Sequence, residues 1–194
     1  MVFSGNFLFC RWEKHPFFLF LNNNLRISTM KHAKFLVLGG ALSLVLMGCP
    51  YESKIPLDSA DKSKPDKALV GKWEEKGSDS YTWKCELDGN QYRIEKQSIE
   101  DKDDDPTIYI GWLTEVGGSQ WMNVYERDYS SDKEYMIYRV EMKGGGDRAK
   151  FRAMTDNVTE EFTTSDEFKT FVKKNMELSF FYNKDDEKTF YKED

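Results

Sequence analysis

The feature that most constrains the fold of this chain is a succession of short segments in which apolar and polar residues alternate. Alternation with a period of two indicates a strand with one buried face and one solvated face. Eight or nine such segments follow residue 67, and they predict a mainly β protein built as an antiparallel meander. The predicted strands are Leu69–Glu75, Tyr81–Leu87, Gln91–Gln97, Thr107–Val116, Gln120–Glu126, Tyr135–Lys143, Arg148–Met154, Leu178–Tyr182 and Lys188–Lys192.

Sharp turns join many of these segments. Asp88-Gly89-Asn90, Gly117-Gly118-Ser119 and Gly144-Gly145-Gly146 are typical of hairpin connections between neighbouring antiparallel strands. Closing such a sheet into a barrel removes its exposed edges, and eight strands leave room for at most one small ligand. A two-sheet sandwich is built from the same pattern. We therefore expect a small antiparallel barrel, with the sandwich as the alternative.

One amphipathic helix interrupts the strands near the C-terminus. Thr164 and Glu167 have the spacing of a capping box, which marks a helix start. The apolar residues that follow recur at helical spacing, so one helix face is expected to pack on the barrel. These residues are Phe168, Phe171, Val172 and Met176.

A different kind of segment precedes the strands. A short basic head beginning at Lys31 is followed by 13 mostly apolar residues, Phe35–Met47. This stretch is too short for a membrane-spanning helix, which needs about 20 residues to cross a hydrocarbon core of about 30 Å. It ends in Leu46-Met47-Gly48-Cys49, which resembles the lipobox of bacterial lipoproteins.

The resemblance implies a processing scheme. Residues 30–48 would be a lipoprotein signal peptide, cleaved between Gly48 and Cys49, and acylated Cys49 would hold the protein on a membrane. Pro50 follows the cysteine in place of aspartate, which favours the outer membrane over the inner membrane of a bacterial envelope. Residues 1–29 fit no part of this scheme, and we interpret them as a spurious extension from a start codon assigned too early.

The remaining chain divides by composition into two parts. Residues 49–67 contain the lipidated cysteine and then a segment rich in proline, lysine and aspartate, with few bulky apolar residues. We interpret this segment as a flexible tether. Residues 68–194 hold all the predicted strands and the helix, and they form the expected β domain.

Charge and histidine content exclude several functions. Five of the 28 basic and one of the 34 acidic residues precede Cys49, so the net charge from Cys49 onward is −10. This balance argues against a nucleic-acid partner, because phosphate binding needs a basic face. Both histidines, His15 and His32, also precede Cys49, which excludes histidine-based nucleophilic catalysis. We expect no enzyme activity and no cofactor.

Two remaining polar or reactive features carry no predicted chemistry. The acidic run Glu100–Asp105 lacks the turn glycine and the distal glutamate of the helix–loop–helix calcium site, so we interpret it as a solvated loop and expect no metal site. Cys85 shares a strand face with Trp83 and Leu87, which predicts a buried free thiol.

Two resemblances bear on the domain itself. Leu69-Val70-Gly71-Lys72-Trp73 resembles the G-x-W start of the lipocalins, in which the tryptophan plugs the closed end of the barrel, and this implies a lipocalin-like barrel. The chain is also similar to a group of small uncharacterised bacterial lipoproteins over Tyr51–Leu57, Asp66–Trp73 and Phe168–Asn175. That likeness implies location and domain plan and carries no activity with it.

The aromatic content of the strands suggests two functions. One is the binding of a small apolar or amphiphilic ligand inside the barrel, and the other is a filled barrel that serves as a structural or protein-interaction module of the cell envelope. In the predicted strand Thr107–Val116 we expect Tyr109 and Leu113 to face outward. The candidate ligand-binding residues, taken as inward-facing, are Trp83, Ile108, Ile110, Trp112 and Tyr138.

Overall fold

The computed structural model describes residues 50–77, 80–101, 103–128 and 133–193, without the side chains of residues 185 and 186. The predictions for residues 1–29, for the signal peptide 30–48 and for Cys49 lie outside these residues. Nine strands and one α-helix are found in the described residues. The strands are β1 (Glu52–Ser53), β2 (Gly71–Glu75), β3 (Tyr81–Asp88), β4 (Gln91–Ser98), β5 (Thr107–Val116), β6 (Ser119–Glu126), β7 (Tyr135–Lys143), β8 (Arg148–Met154) and β9 (Tyr182–Lys192), and the helix is α1 (Ser165–Asn175).

Strands β2 to β9 form a closed barrel. Each strand pairs antiparallel with the next, and β9 returns to β2, with Trp73 opposite Lys192 and Glu75 opposite Phe190. The prediction of a small antiparallel barrel with one helix is confirmed, and the barrel has eight strands. The pairing of the last strand with the first distinguishes the barrel from a two-sheet sandwich, because it leaves neither of these strands as an edge.

The inner core fills the barrel, and all eight barrel strands contribute to it. Its members alternate along each strand with residues of the opposite face, as the period of two requires. Toward one end the packing is dense, with Tyr92 and Met122 almost fully buried. The inner core comprises Leu69, Trp73, Cys85, Tyr92, Tyr109, Leu113, Met122, Val124, Met136, Val140, Ala149 and Phe190, with Val70, Trp83, Ile94, Tyr138, Met142 and Phe151 packed against it.

Helix α1 begins as predicted. The side chain of Thr164 accepts a hydrogen bond from the Glu167 backbone N–H, and Phe168 and Val172 are fully buried. The predicted strand Leu178–Tyr182 is wrong except for its last residue, because Ser179–Phe181 forms a 3₁₀ turn. The predicted strand Lys188–Lys192 is the end of the longer β9, whose pairing with β8 is irregular between Arg152 and Met154. Among the described residues, no helix has the length and apolar content needed to cross a bilayer.

A second apolar cluster, the outer core, lies outside the barrel wall. It is formed by α1, the N-terminal segment and the outer faces of β5 to β8. This cluster means that part of the barrel wall is buried on both faces. The outer core comprises Tyr51, Leu57, Val116, Trp121, Ile137, Met154, Phe168, Val172, Met176, Phe181 and Tyr182.

The expectation of a flexible tether is wrong for residues 50–67. Leu57 is 0% exposed, and its backbone N–H donates to Asn123 Oδ1 at 2.7 Å. Asp58 forms an ion pair with Lys169 on α1, at 2.8 Å between Nζ and Oδ2. A few apolar side chains and backbone hydrogen bonds are enough to fix this polar segment, so the folded domain includes the residues from Pro50 onward.

Candidate ligand site at the barrel mouth

The two ends of the barrel differ. At one end the short 3₁₀ turn Lys67–Leu69 covers the interior, with Leu69 buried and the Trp73 indole N–H donating to the Leu69 carbonyl at 2.9 Å. The other end, where β2, β4, β6 and β8 finish and β3, β5, β7 and β9 begin, is called the mouth here. Inward-facing residues near the mouth retain contact with solvent, so a ligand could reach them there.

Five aromatic rings cross the barrel interior just below the mouth. Tyr109 stacks on Trp83 with 6.3 Å between ring centroids, and Trp83 meets Phe190 edge-on at 5.5 Å. Phe151 is perpendicular to Phe190 at 5.5 Å and contacts Tyr138 at 6.3 Å. These separations are typical of attractive aromatic pairs. The five rings form a continuous layer, which we call the aromatic floor.

Part of the aromatic floor is accessible from the mouth. Trp83, Phe151 and Tyr138 are only partly buried, in contrast to the nearly full burial of the inner core toward the closed end. The Trp83 Nε1 atom is itself buried and has no hydrogen-bond partner. A buried N–H donor without an acceptor costs about 1–3 kcal/mol, so an acceptor on a bound molecule would be favourable there. The floor therefore offers apolar rings and one unused donor.

Four charged residues surround the floor on the mouth side. Each is at an inward-facing position of its strand. Each also lies two residues along that strand from an apolar residue that faces inward. Lys188 Nζ lies 2.9 Å from Glu75 Oε1, and Lys96 Nζ lies 4.0 Å from the centroid of the Tyr81 ring. A cation over an aromatic face is favourable. This charged rim consists of Glu75 on β2, Lys96 on β4, Glu126 on β6 and Lys188 on β9.

Burial shifts the pKa of two groups of the charged rim. Burial lowers the pKa of Lys96, the charge of Lys188 lowers it further, and Glu75 and Glu126 oppose this shift. Burial likewise raises the pKa of Glu126, with a contribution from Asp128 and opposition from Lys96. Titratable groups with perturbed pKa values in a concave site are a common property of binding sites. The rim can therefore hold a polar or charged head group while the floor holds an apolar group.

The structure separates the five predicted ligand-binding residues. Trp83 and Tyr138 lie in the barrel interior as part of the aromatic floor. Ile108, Ile110 and Trp112 lie on the outer face of β5, so their inward-facing assignment is wrong, and the Trp112 indole N–H donates to the Asp58 carbonyl at 2.8 Å.

The reason for the error is that both faces of β5 are apolar. Tyr109 and Leu113, expected to face outward, are in the inner core. The outer face is buried as well, because the N-terminal segment covers it, and Trp112 packs edge-on against Tyr125 and Tyr135. A strand buried on both faces reads as a continuous apolar run, so its alternation does not identify the inner side.

The charged rim was not predicted from the sequence, although a signal for it exists. Continuing the alternation from Trp73, Ile94 and Val124 by two positions leads to Glu75, Lys96 and Glu126 on the same faces. Charged residues at inward positions near strand ends are unusual unless the barrel opens there. This pattern can be recognised only once the inward face of each strand is known, and the tertiary structure is what shows that face.

A cleft lies on the outer side of the barrel. This cleft has a volume of about 370 Å³ and lies between β7, β8, β9 and the end of α1. Arg139 Nη1 donates to the Met176 carbonyl at 3.2 Å and to Tyr182 Oη at 3.1 Å, and Arg152 pairs with Glu141. The protein engages the terminal nitrogens of both guanidinium groups, but the Nε atoms of Arg139 and Arg152 are buried without a hydrogen-bond partner. The cleft therefore also offers unused donors, whereas the aromatic floor, which can hold an apolar group, lies at the mouth.

Reactive and metal-binding groups are sparse in the part of the chain that the structure describes. Burial raises the pKa of the Cys85 thiol to about 12, so this free cysteine is an inert member of the inner core at neutral pH. Within the same residues, no group of three or more His, Cys, Asp and Glu side chains is placed to hold a metal ion.

Comparison with known proteins gives no independent indication of function. No family model matches the chain, and no curated protein or solved structure matches it. The assignment of a function therefore depends on the residues and the geometry described above.

Proposed function

We propose that this protein is a bacterial envelope lipoprotein, anchored through acylated Cys49, that binds a small apolar or amphiphilic molecule at the barrel mouth. The observation that carries the proposal is the aromatic floor, three of whose five rings stay partly exposed inside a closed barrel. A ligand that covers these rings removes apolar surface from water, at about 25 cal/mol per Å². The charged rim would receive the polar end of an amphiphile.

The anchor is proposed from the lipobox-like residues Leu46-Met47-Gly48-Cys49. Two or three acyl chains would hold the protein on a membrane almost permanently, at about 0.8 kcal/mol for each buried methylene. Intact mass measurement of protein purified from membranes tests this directly. We expect the mass of the chain from Cys49 plus diacylglycerol and acyl groups, and we expect Cys49→Ala to abolish that modification. An unmodified mass would contradict the anchor.

A filled barrel that binds another envelope protein is the second candidate. It is favoured by the packing below the floor, where a Cβ atom added to Gly111 would lie 3.0 Å from Met122 Sδ and 3.5 Å from Ile94 Cδ1. This contact leaves little room at that level for a ligand. The two candidates therefore differ in whether the mouth alone binds a small molecule.

Titration of the purified acylated protein with a fluorescent polyene fatty acid distinguishes the two candidates. Trp83→Leu removes a ring of the floor and is expected to weaken binding about tenfold, equivalent to about 1.4 kcal/mol. Trp112→Phe is the matched control, because Trp112 lies on the outer face of β5 and should not affect affinity. Native mass spectrometry of the same preparation would detect a retained natural ligand.

The titration gives different results for the ligand site and for the filled barrel. Saturable binding that Trp83→Leu weakens and Trp112→Phe leaves unchanged supports the ligand site. Absence of saturable binding, or equal losses in both variants, would favour the filled barrel, and pull-down with the acylated protein would then be the appropriate measurement. The chain should be used from Cys49 onward, because truncation at residue 68 would remove buried Tyr51 and Leu57.

A further inference from the structure

The N-terminal segment joins the barrel at the mouth. Pro50 forms a β-bridge with Thr155, the residue that follows β8, and the Tyr51 N–H donates to the Met154 carbonyl at 2.9 Å. Strand β1 pairs with Tyr135 and Met136, the first two residues of β7. Strand β8 ends at the mouth and β7 begins there. The chain therefore reaches the barrel wall at the rim of the mouth.

This attachment restricts where an acylated Cys49 can be. Cys49 precedes Pro50 by one peptide bond, which separates the two Cα atoms by about 3.8 Å. A flexible tether of residues 50–67 would have let the barrel take any orientation on a membrane, but these residues are packed against the barrel. The acyl chains on Cys49 would thus extend from the protein surface next to the mouth.

An exposed aromatic residue lies at the same place. Phe180 is 70% exposed, the highest value among the large apolar side chains that the structure describes. The carbonyl of its neighbour Phe181 accepts a hydrogen bond from the Thr155 N–H at 3.1 Å, and Thr155 is the residue bridged to Pro50. A large exposed apolar side chain beside a lipid anchor is suited to contact with a membrane surface.

Exposed acidic residues lie on both sides of the mouth. The acidic loop that follows β4 carries Glu100, Asp101, Asp103, Asp104 and Asp105, all exposed. In the order of the barrel strands, the connection between β4 and β5 stands opposite the connection between β8 and β9. Asp156, Glu160 and Glu161 are likewise exposed near Thr155 and Tyr51, so charge does not distinguish the two sides. The attachment of Pro50 and the exposed ring of Phe180 mark the β7–β9 side as the side suited to lipid.

We infer that the mouth faces the bilayer, with its β7–β9 side against the lipid, and that the ligand is a membrane amphiphile taken up directly from that bilayer. Its acyl chain would cover the aromatic floor and its polar head would lie at the charged rim. This inference rests on the proposed function, because it requires both the acylated Cys49 and a ligand site at the mouth.

Site-directed fluorescence on vesicles tests the orientation. In the acylated chain the thiol of Cys49 is blocked and Cys85 is buried, so an introduced cysteine is the accessible thiol. Ser179→Cys places a fluorophore beside Phe180, Asp104→Cys places one on the acidic loop, and Asp88→Cys places one at the closed end. Each labelled protein is bound to vesicles of phosphatidylethanolamine and phosphatidylglycerol with brominated acyl chains, which quench at short range.

We expect the label at Ser179→Cys to lose most of its fluorescence, the label at Asp104→Cys to lose less, and the label at Asp88→Cys to stay unchanged. Strong quenching at Asp88→Cys, or equal quenching at all three sites, would overturn the inference. The intact mass is measured on the same samples. A chain without acyl groups would refute the proposed anchor and the inference together, whereas an acylated chain with the wrong quenching pattern refutes the inference alone.

Ligand uptake provides the second readout. Phe180→Ala should slow the transfer of the fluorescent fatty acid from vesicles to the acylated protein, while the affinity for fatty acid added in solution stays unchanged. Tyr191→Ala is the matched control, because Tyr191 is 40% exposed and lies near the closed end. Equal transfer rates for Phe180→Ala and the unaltered protein would contradict uptake from the bilayer.

Discussion

The two apolar cores of this protein differ in how completely they exclude water. In the outer core Leu57, Phe168 and Val172 are fully buried, and the segment that covers it is held by a hydrogen bond to buried Asn123. The inner core is equally buried toward the closed end, but at the mouth it ends in partly exposed rings and inward-facing charged side chains. The outer core thus stabilises the fold, whereas the inner core leaves apolar surface uncovered at the mouth, where a ligand can bind.

The buried indole groups show the same contrast. Trp83 in the barrel and Trp121 in the outer core both have an Nε1 atom that is buried without a hydrogen-bond partner. Trp121 is fully enclosed, between Phe181 and Tyr182 among others. Only Trp83 borders the mouth, so only its N–H could gain an acceptor from a bound molecule.

The largest effect is expected from breaking the outer core. Phe168→Ala should lower the free energy of unfolding by about 3–5 kcal/mol, because it leaves a cavity where Phe168 stacks on Phe162 at 4.5 Å. Urea unfolding followed by tryptophan fluorescence measures the change. Phe180→Ala is the control and should have little effect. Similar losses in the two variants would show that the outer core is not the stabilising region.

A slightly smaller loss is expected from the N-terminal segment. Leu57→Ala should lower the free energy of unfolding by about 2–4 kcal/mol, because Leu57 is fully buried against the barrel wall. The same urea titration measures it, with exposed Lys64→Ala as a control on the same segment. An unchanged unfolding midpoint for Leu57→Ala would restore the interpretation of this segment as a tether.

The charged rim should affect binding more than stability. Lys96→Gln is expected to weaken the binding of a fatty acid about fivefold, equivalent to about 1 kcal/mol, because it removes a partly buried cation near the carboxylate. A fatty alcohol of the same chain length, which carries no charge, should bind both proteins alike. Lys72→Gln, on the exposed face of β2, should alter neither affinity. Equal losses of affinity for the fatty acid and the fatty alcohol would show that Lys96 does not contact the head group.

The smallest effect concerns pH and the pairing of β1 with β7. Loss of solvent raises the pKa of Glu52 to about 7, with contributions from the hydrogen bond to Glu134 and the charge of Glu134. Because the folded-state pKa lies above the unfolded value, the contribution of Glu52 to stability is fully present below about pH 4.5 and is lost as pH rises to about 7. Because much of the Glu52 side chain nevertheless stays in contact with solvent, we expect this contribution to the free energy of unfolding to be less than about 1 kcal/mol.

Urea titrations across this pH range measure the effect. Glu52→Gln should flatten the pH dependence of the free energy of unfolding in this window, whereas Glu74→Gln on β2 should leave it unchanged. A pH dependence that survives in Glu52→Gln would show that the pairing of β1 with β7 does not depend on this carboxyl group.

Local sequence patterns predicted most elements closely. Strands Thr107–Val116, Tyr135–Lys143 and Arg148–Met154 have the predicted bounds, because alternation and flanking turns are properties of each segment alone. Helix α1 begins where the spacing of Thr164 and Glu167 indicates. The candidate site was predicted only in part. Trp83 and Tyr138 face the barrel interior as expected, whereas the residues taken from β5 lie on the other face, and ligand binding itself stays a prediction.

The proline-rich segment shows why composition misled. Residues 50–67 contain many polar residues, which is typical of a linker, yet a few side chains such as Tyr51 and Leu57 are buried against the barrel. Polar residues do not prevent packing when the backbone N–H groups find acceptors, as the Leu57 N–H does on Asn123. Asn123 is distant in sequence, so this contact has no local signature.

By itself the sequence determined the strands, the hairpin turns and the helix, because these depend on the order of apolar, polar and glycine residues within short segments. The lipid anchor at Cys49 stays a prediction from the same kind of local pattern. Only the tertiary structure decided that β9 pairs with β2, that residues 50–67 cover β5, and which face of β5 is inward. These features depend on contacts between residues far apart in the chain. The free energy of such a contact depends on both segments together, so the local sequence of one segment does not predict it.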